Sequence, residues 1–209
     1  MREITAGDLV RALGAVRDAI EAEKGELCRL DGVIGDADHG IGMALGFAAV
    51  SRALEASPPA DPAGVFAAAA RSFLDAVGAS TGPLYATAFL RAAAAVKGRA
   101  ALGRDDVVGA LAAMAKGVAD RGKAQPGEKT MLDAWAPAAA AAERAAAAGS
   151  DLQACLRAAA EAAAAGAEAT KAMAATKGRA SRLGERALGH VDPGAASAAI
   201  ILRVLAEGL

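Results

Sequence analysis

Apolar residues along the chain recur three and four positions apart, and no segment alternates convincingly at every second position. Leu9, Leu13, Val16 and Ile20 set this spacing in the first segment, with Thr5 placed as its N-cap. The same pattern predicts eight helices, over roughly 5–29, 40–56, 61–78, 82–97, 104–120, 130–147, 151–176 and 193–207. Asp61-Pro62 and Asp192-Pro193 are start signals for the third and eighth, an acid before a proline at the first helical position. The expected fold is all-α, one domain over residues 1–209, with helices running alternately up and down.

The connections divide into two kinds. Those after the second, fourth and sixth helices (SPPA, KGRAALGR, AGS) are short and chemically plain. Those after the first, third, fifth and seventh read LDGVIGDADHG, GASTGPL, RGKAQPGEKT and KGRASRLGERALGHVDPG, rich in glycine, charge and hydroxyl groups. In an antiparallel bundle alternate connections emerge at the same end, so all four unusual ones are expected on one rim. Both histidines, His39 and His190, fall there too.

Composition supports helices. Of 209 residues, 55% are hydrophobic, largely through alanine, and only 3% are aromatic, which favours closely packed helices over strands. A net charge of −1 argues against a nucleic-acid partner. No window is apolar and uncharged enough for a membrane span, and MREITAGDLVRALG lacks the apolar stretch of a signal peptide. Cys28 and Cys155 are too few for a disulfide framework, so a cytoplasmic protein is expected.

The first unusual connection gathers Asp31, Asp36 and Asp38 beside His39. Carboxylates are hard ligands for magnesium or calcium, and two like charges about 4 Å apart cost roughly 4 kcal/mol at an effective dielectric near 20. A divalent cation removes that repulsion. Turn formation and capping account equally well for Asp31 alone, but poorly for three acids together. A calcium-binding loop of the helix-loop-helix type fails, because its closing acid would fall on Phe47 or Gly42. The cysteines and histidines are too scattered for zinc.

GKAQPGEKT, from Gly122 to Thr130, approaches a P-loop but interposes Glu128 and follows no strand. Gly40-Ile41-Gly42 opens a helix, with Gly46 one residue late for a dinucleotide fingerprint. Both nonetheless put backbone N–H groups at a helix start, where phosphate binds readily. The last connection supplies Lys177, Arg179, Arg182 and Arg186. Such a run can complement a helix dipole, but Arg179, set among small residues on the crowded rim, could also grip phosphate oxygens in pairs. A metal-bound polyphosphate with an arginine beside it is the layout of phosphoryl transfer.

LDGVIGDADHGIGMALGF, GASTGPLYATAFLRAA, GEKTMLDAWAPA and GRASRLGERALGHVDPGAAS together resemble the signature segments of the L subunit of dihydroxyacetone kinase, nearly end to end and in order. The resemblance implies a closed barrel of eight antiparallel helices with ADP or ATP and two magnesium ions at one end. By motif, Asp31, Asp36 and Asp38 would hold the metals. His39, Gly40, Ile41 and Gly42 would line the phosphates with Ser80 and Thr81. Gly122 and Met131 would flank the adenine and ribose, Arg179 would approach the phosphoryl group, and Asp192, Pro193 and Gly194 would close the far side. Catalysis would rest on Arg179 and the three aspartates.

Two departures stand out: Gly42 replaces an asparagine frequent in the family, and Gly78-Ala79-Ser80-Thr81 places threonine where serine is usual. The resemblance also implies a separate K-type subunit holding the ketose, and a homodimer is compatible with it. In one branch bound ADP is a coenzyme recharged by a phosphohistidine protein of the sugar phosphotransferase system, the branch a stand-alone chain favours. In the other, ATP exchanges as a substrate. A nucleotide-sensing module without turnover and a ligand-free helical scaffold are the competing expectations.

Overall fold

The computed structural model describes residues 3–78 and 80–209; Ala79, in the GASTGPL connection, lies outside the described residues, as do Met1 and Arg2. All eight expected helices form: α1 Ala6–Ile34, α2 His39–Ala56, α3 Pro62–Ala76, α4 Thr81–Ala95, α5 Arg104–Gly122, α6 Leu132–Ala147, α7 Leu152–Ala169 and α8 Pro193–Gly208. A short 3-10 turn, Thr170–Ala172, follows α7, and a 3-10 stretch, Arg179–Ala187, precedes α8. Among the described residues extended pairing is limited to one isolated antiparallel bridge between Ile4 and Leu102. Among the described residues no helix is long and apolar enough to cross a membrane.

Side chains cap the starts of α1, α3 and α7. Thr5 and Asp8 form a reciprocal box, the Asp8 N–H donating to Thr5 Oγ1 at 3.2 Å and the Thr5 N–H to Asp8 Oδ2 at 2.9 Å. Asp61 and Asp151 accept from the amides of Gly64 and Ala154 at 2.7 and 2.8 Å. Each such cap is worth about 1 kcal/mol.

Each helix packs against the next in sequence, and α8 returns against α1 to close the ring. Buried alanines such as Ala69, Ala92, Ala138 and Ala163 let neighbouring helices approach closely. The few large side chains fill the space the ring encloses. Phe47 meets Phe73 edge to face with ring centroids 5.4 Å apart, and Tyr85 meets Trp135 at 6.4 Å. Such pairs add about 0.5–1.5 kcal/mol beyond the area they bury.

Two boundaries depart from the expectation, and both shape the site. The first helix continues to Ile34, because Leu27, Asp31 and Ile34 extend its buried face. Asp31 therefore stands on a helix and not in a loop. The seventh stops at Ala169. Thr170 turns its hydroxyl back to the Ala167 carbonyl at 2.6 Å, and its own carbonyl accepts from Lys129 Nζ at 2.6 Å. The same carbonyl accepts the Met173 amide at 3.1 Å, so the chain leaves α7 through a tighter 3-10 turn.

Candidate functional site

Because the helices alternate in direction, α1, α3, α5 and α7 end, and α2, α4, α6 and α8 begin, around one mouth. A cavity of about 600 Å³ opens there, walled by all four glycine-rich connections. Asp31, Asp36, Asp38 and His39 line it from the first, Ser80 and Thr81 from the second, and Gly122, Lys129 and Met131 from the third. Lys177, Arg179, Asp192, Pro193 and Gly194 line it from the fourth.

The three aspartates converge: Asp31, Asp36 and Asp38 each offer a carboxylate oxygen, all within 4.8 Å of one another. Asp31 is buried, and its Oδ2 accepts the amides of Asp38 at 2.9 Å and His39 at 3.1 Å. It thus caps α2, whose own N-cap residue, Asp38, makes no side-chain cap bond. Capping through Oδ2 leaves the second oxygen of this residue able to meet a cation. The turn that delivers the acids depends on Gly35, where a Cβ would overlap Asp31 Oδ1 and lie 3.0 Å from its Cγ. Asp36 and Asp38 are exposed. Arg179 pairs with Asp36 and stands 3.8 Å from Asp38. The guanidinium is 54% exposed, so the pair is worth at most about 1 kcal/mol and a divalent cation can displace it.

Helix starts face the same space. Ser80, the N-cap residue of α4, uses no side chain for capping, which leaves the positive end of that helix dipole turned toward the cavity. At α6 the Leu132 amide instead donates to Thr130 Oγ1 at 3.2 Å, and Asp133 stands in the first turn. His39 Nε2 lies 2.9 Å from Ser197 Oγ, which in turn donates to the Gly194 carbonyl at 3.0 Å. With that hydroxyl proton spent on Gly194, the imidazole is the donor in the first bond. Burial lowers the His39 pKa below its ordinary range, partly opposed by the Asp31 carboxylate, and keeps the ring neutral. Burial also pushes the Asp192 carboxyl up to about 7, against the Ala195 amide it accepts and the Lys129 ammonium nearby.

Gly40, Ile41 and Gly42 do not join the cavity wall. Gly40 faces α1, where a Cβ would overlap the Lys24 carbonyl oxygen. Ile41 is 50% exposed on the outer surface. The amide of Gly42 already donates to the Asp38 carbonyl at 2.9 Å. The start of α2 reaches the cavity through His39 alone of these four.

Four buried polar residues around the site escaped sequence reasoning: Lys129, Asp133, Thr170 and Ser197. Asp133 accepts the amides of Gly127 at 2.5 Å and Thr130 at 2.8 Å, fixing the GEKT turn. Lys129 donates to the carbonyls of Thr170 and His190 at 2.6 and 2.5 Å; burial lowers its pKa, while Asp192 and Asp133 raise it. The one signal for Lys129 was its position in a near-miss P-loop. Nothing local marks Ser197, whose partner lies 158 residues away.

Comparison with known proteins accords with this geometry. A family model described as the DAK2 domain matches residues 33–207. The chain is 38% identical over 198 residues to the ADP-binding subunit DhaL of the PEP-dependent dihydroxyacetone kinase of Escherichia coli (strain K12), covering 95% of this chain and 94% of that protein. It is 35% identical over 204 residues to the corresponding subunit of the PTS-dependent kinase of Lactococcus lactis, covering 98% of each. The crystal structure of the dihydroxyacetone kinase from C. freundii in complex with AMP-PNP and Mg2+ superposes with a TM-score of 0.74 at 26% identity. That match covers 100% of this chain and 35% of the longer one.

Proposed function

The chain belongs to the DAK2-domain family, and from that premise we propose that it is the ADP-binding, magnesium-dependent phosphotransfer subunit of a dihydroxyacetone kinase, acting on a ketose held by a separate K-type subunit. The observation that carries this reading is the convergence of Asp31, Asp36 and Asp38 under Arg179, at the mouth of a cavity fronted by helix starts. The donor set fits magnesium: it is all oxygen, it is aimed by a turn that a Cβ at Gly35 would block, and its three carboxylates outnumber the single guanidinium beside them.

A pair of magnesium ions, when bound, supplies bridging charge that neutralises the nucleotide phosphates. The chain's own residues do the rest. Asp31, held by two amides of α2, keeps one oxygen fixed while Asp36 and Asp38 close from the exposed side. The start of α4 receives phosphate oxygens, with the Ser80 and Thr81 hydroxyls beside it. Gly122 and Met131 form the wall against the nucleoside, and Asp192, Pro193 and Gly194 the wall opposite. Arg179, released from Asp36, offsets charge on the phosphoryl group as it passes to the ketose hydroxyl.

The names of the full-length relatives favour a coenzyme role, in which ADP stays bound and is rephosphorylated by a phosphohistidine protein of the phosphotransferase system. Gel filtration with magnesium, followed by mass spectrometry, tests both points. ADP retained through the column supports the coenzyme role, and rapid exchange supports ATP as a substrate. Binding without transfer to dihydroxyacetone, when the K-type subunit and the phosphohistidine donor are supplied, leaves a nucleotide-sensing module. No binding at all removes the reading.

A further inference from the structure

We propose that Lys129 is a positioning residue that holds the Arg179-bearing segment over the aspartates by clasping both ends of that segment. The proposal rests on the role read for Arg179 above. Between α7 and α8 the chain makes an excursion over residues 171–189, and it is this excursion that brings Lys177, Gly178 and Arg179 to the mouth. Its apolar residues form a separate small cluster: Ala175 and Ala187 pack with Ile34, apart from the main core. A segment with so little share in the core needs its placement from elsewhere.

The placement comes from the ends. The Gly189 amide donates to the Lys171 carbonyl at 2.8 Å, drawing the two ends together. Into the same junction Lys129 sends its ammonium, donating to Thr170 O at 2.6 Å and to His190 O at 2.5 Å. These carbonyls belong to the residues flanking the excursion on either side. An ammonium carries three donors and can serve both at once, and charge-assisted bonds are about twice as strong as neutral ones. A neutral apolar side chain would take the ammonium from both carbonyls, leaving Thr170 O only the Met173 amide at 3.1 Å.

One further observation singles out the residue. Lys129 is only 1% exposed, and a lysine is almost never so enclosed unless its charge has partners. Neighbouring Glu128 grips the excursion again near its start, its carbonyl accepting the Thr176 amide at 3.3 Å and its carboxylate lying 3.7 Å from Lys177 Nζ. Arg179 is steadied in addition by Asp36, but that exposed pair opens when a cation takes the carboxylate. From then on the clasp governs where the guanidinium stands.

The test uses the full chain with Lys129→Met and Lys129→Arg. In hydrogen exchange without nucleotide, Lys129→Met should speed the amides of 171–189 at least about tenfold while those of the eight helices stay within about threefold. Lys129→Arg, which keeps charge and several donors, should hold the segment near its wild-type rate. In transfer assays Lys129→Met should lower the rate at least about tenfold. Adding Arg179→Ala to Lys129→Met should then lower the rate no further than Arg179→Ala alone. A chain that fails to fold, or exchange that quickens evenly through the helices, would make Lys129 a brace of the whole barrel and overturn the proposal. So would multiplicative losses in the double variant, or exchange in Lys129→Arg as fast as in Lys129→Met. If the wild-type chain transfers no phosphoryl group, the role of Arg179 falls, yet the exchange comparison still decides the clasp.

Discussion

Gly40 and Gly42 stand two residues apart in the first turn of α2, and alanine at each should have opposite effects. At Gly40 an added Cβ overlaps the Lys24 carbonyl oxygen and comes within 2.9 Å of Cys28 Sγ and 3.0 Å of Cys28 N. Two of these atoms are α1 backbone and cannot swing aside, so α2 must move off α1. Overpacking of this kind costs about 1–3 kcal/mol, offset by roughly 0.5–1 kcal/mol from replacing a helical glycine. For a chain of 209 residues the net loss, up to about 2.5 kcal/mol, lowers Tm by up to about 10 °C. At Gly42 the added Cβ meets only Val77 Cγ1, at 3.8 Å, so the helix gain stands alone and Tm rises by about 1–4 °C. Differential scanning calorimetry reads both shifts, and titration calorimetry with magnesium-ADP reads binding. Gly42→Ala should bind as the wild type does, because its amide is committed to Asp38. A Gly40→Ala chain with unchanged Tm but weakened binding would refute this reasoning and return Gly40 to the phosphates.

Asp36→Asn removes a proposed magnesium ligand and the partner of Arg179. Since both side chains are about half exposed, stability should move by less than about 1 kcal/mol while magnesium-ADP affinity falls at least about tenfold; equal affinity by calorimetry would rule out the ligand assignment. Asp31→Ala frees the two amides its carboxylate holds and should cost about 1–2 kcal/mol, a Tm drop of about 2–8 °C even with chelator present. An unchanged Tm there would deny the cap. Asp192, pushed up to about 7 from an ordinary 3.8, binds its proton more tightly in the folded chain. Its contribution is fully present below the ordinary value and is lost as pH rises through about 7. In denaturant titrations without metal, the wild type should therefore lose stability relative to Asp192→Asn between about pH 4 and 7; a constant difference contradicts it.

The helical count and the sharing of one mouth by four connections were legible because both follow from local signals: apolar spacing, proline starts and the alternation of plain with glycine-rich links. Asp31 shows where local signals stop. Followed by glycine, it reads as a turn residue, yet burial of Leu27 and Ile34 on the same face carries α1 through it. The placement of Gly40 likewise depends on how near α1 comes, which no pattern along α2 encodes. Lys129 and Ser197 were hidden for a related reason. Their partners are 41, 61 and 158 residues distant, so their meaning arises only once the ring has closed. The resemblance carried residue roles across by motif; it could not say that Gly42 spends its amide inside its own helix.

Closure of the ring also decides where the chain can be joined to something else. α1 starts, and α8 finishes, at the end opposite the mouth. A tether attached at either terminus therefore leaves the phosphate-bearing rim clear, while confining a substrate-bearing domain to its vicinity. Such a tether changes the effective concentration of the two halves without altering a single contact. The barrel is consequently indifferent to whether its counterpart arrives by diffusion or on the same polypeptide, and gene fusion or fission can proceed without rebuilding the site.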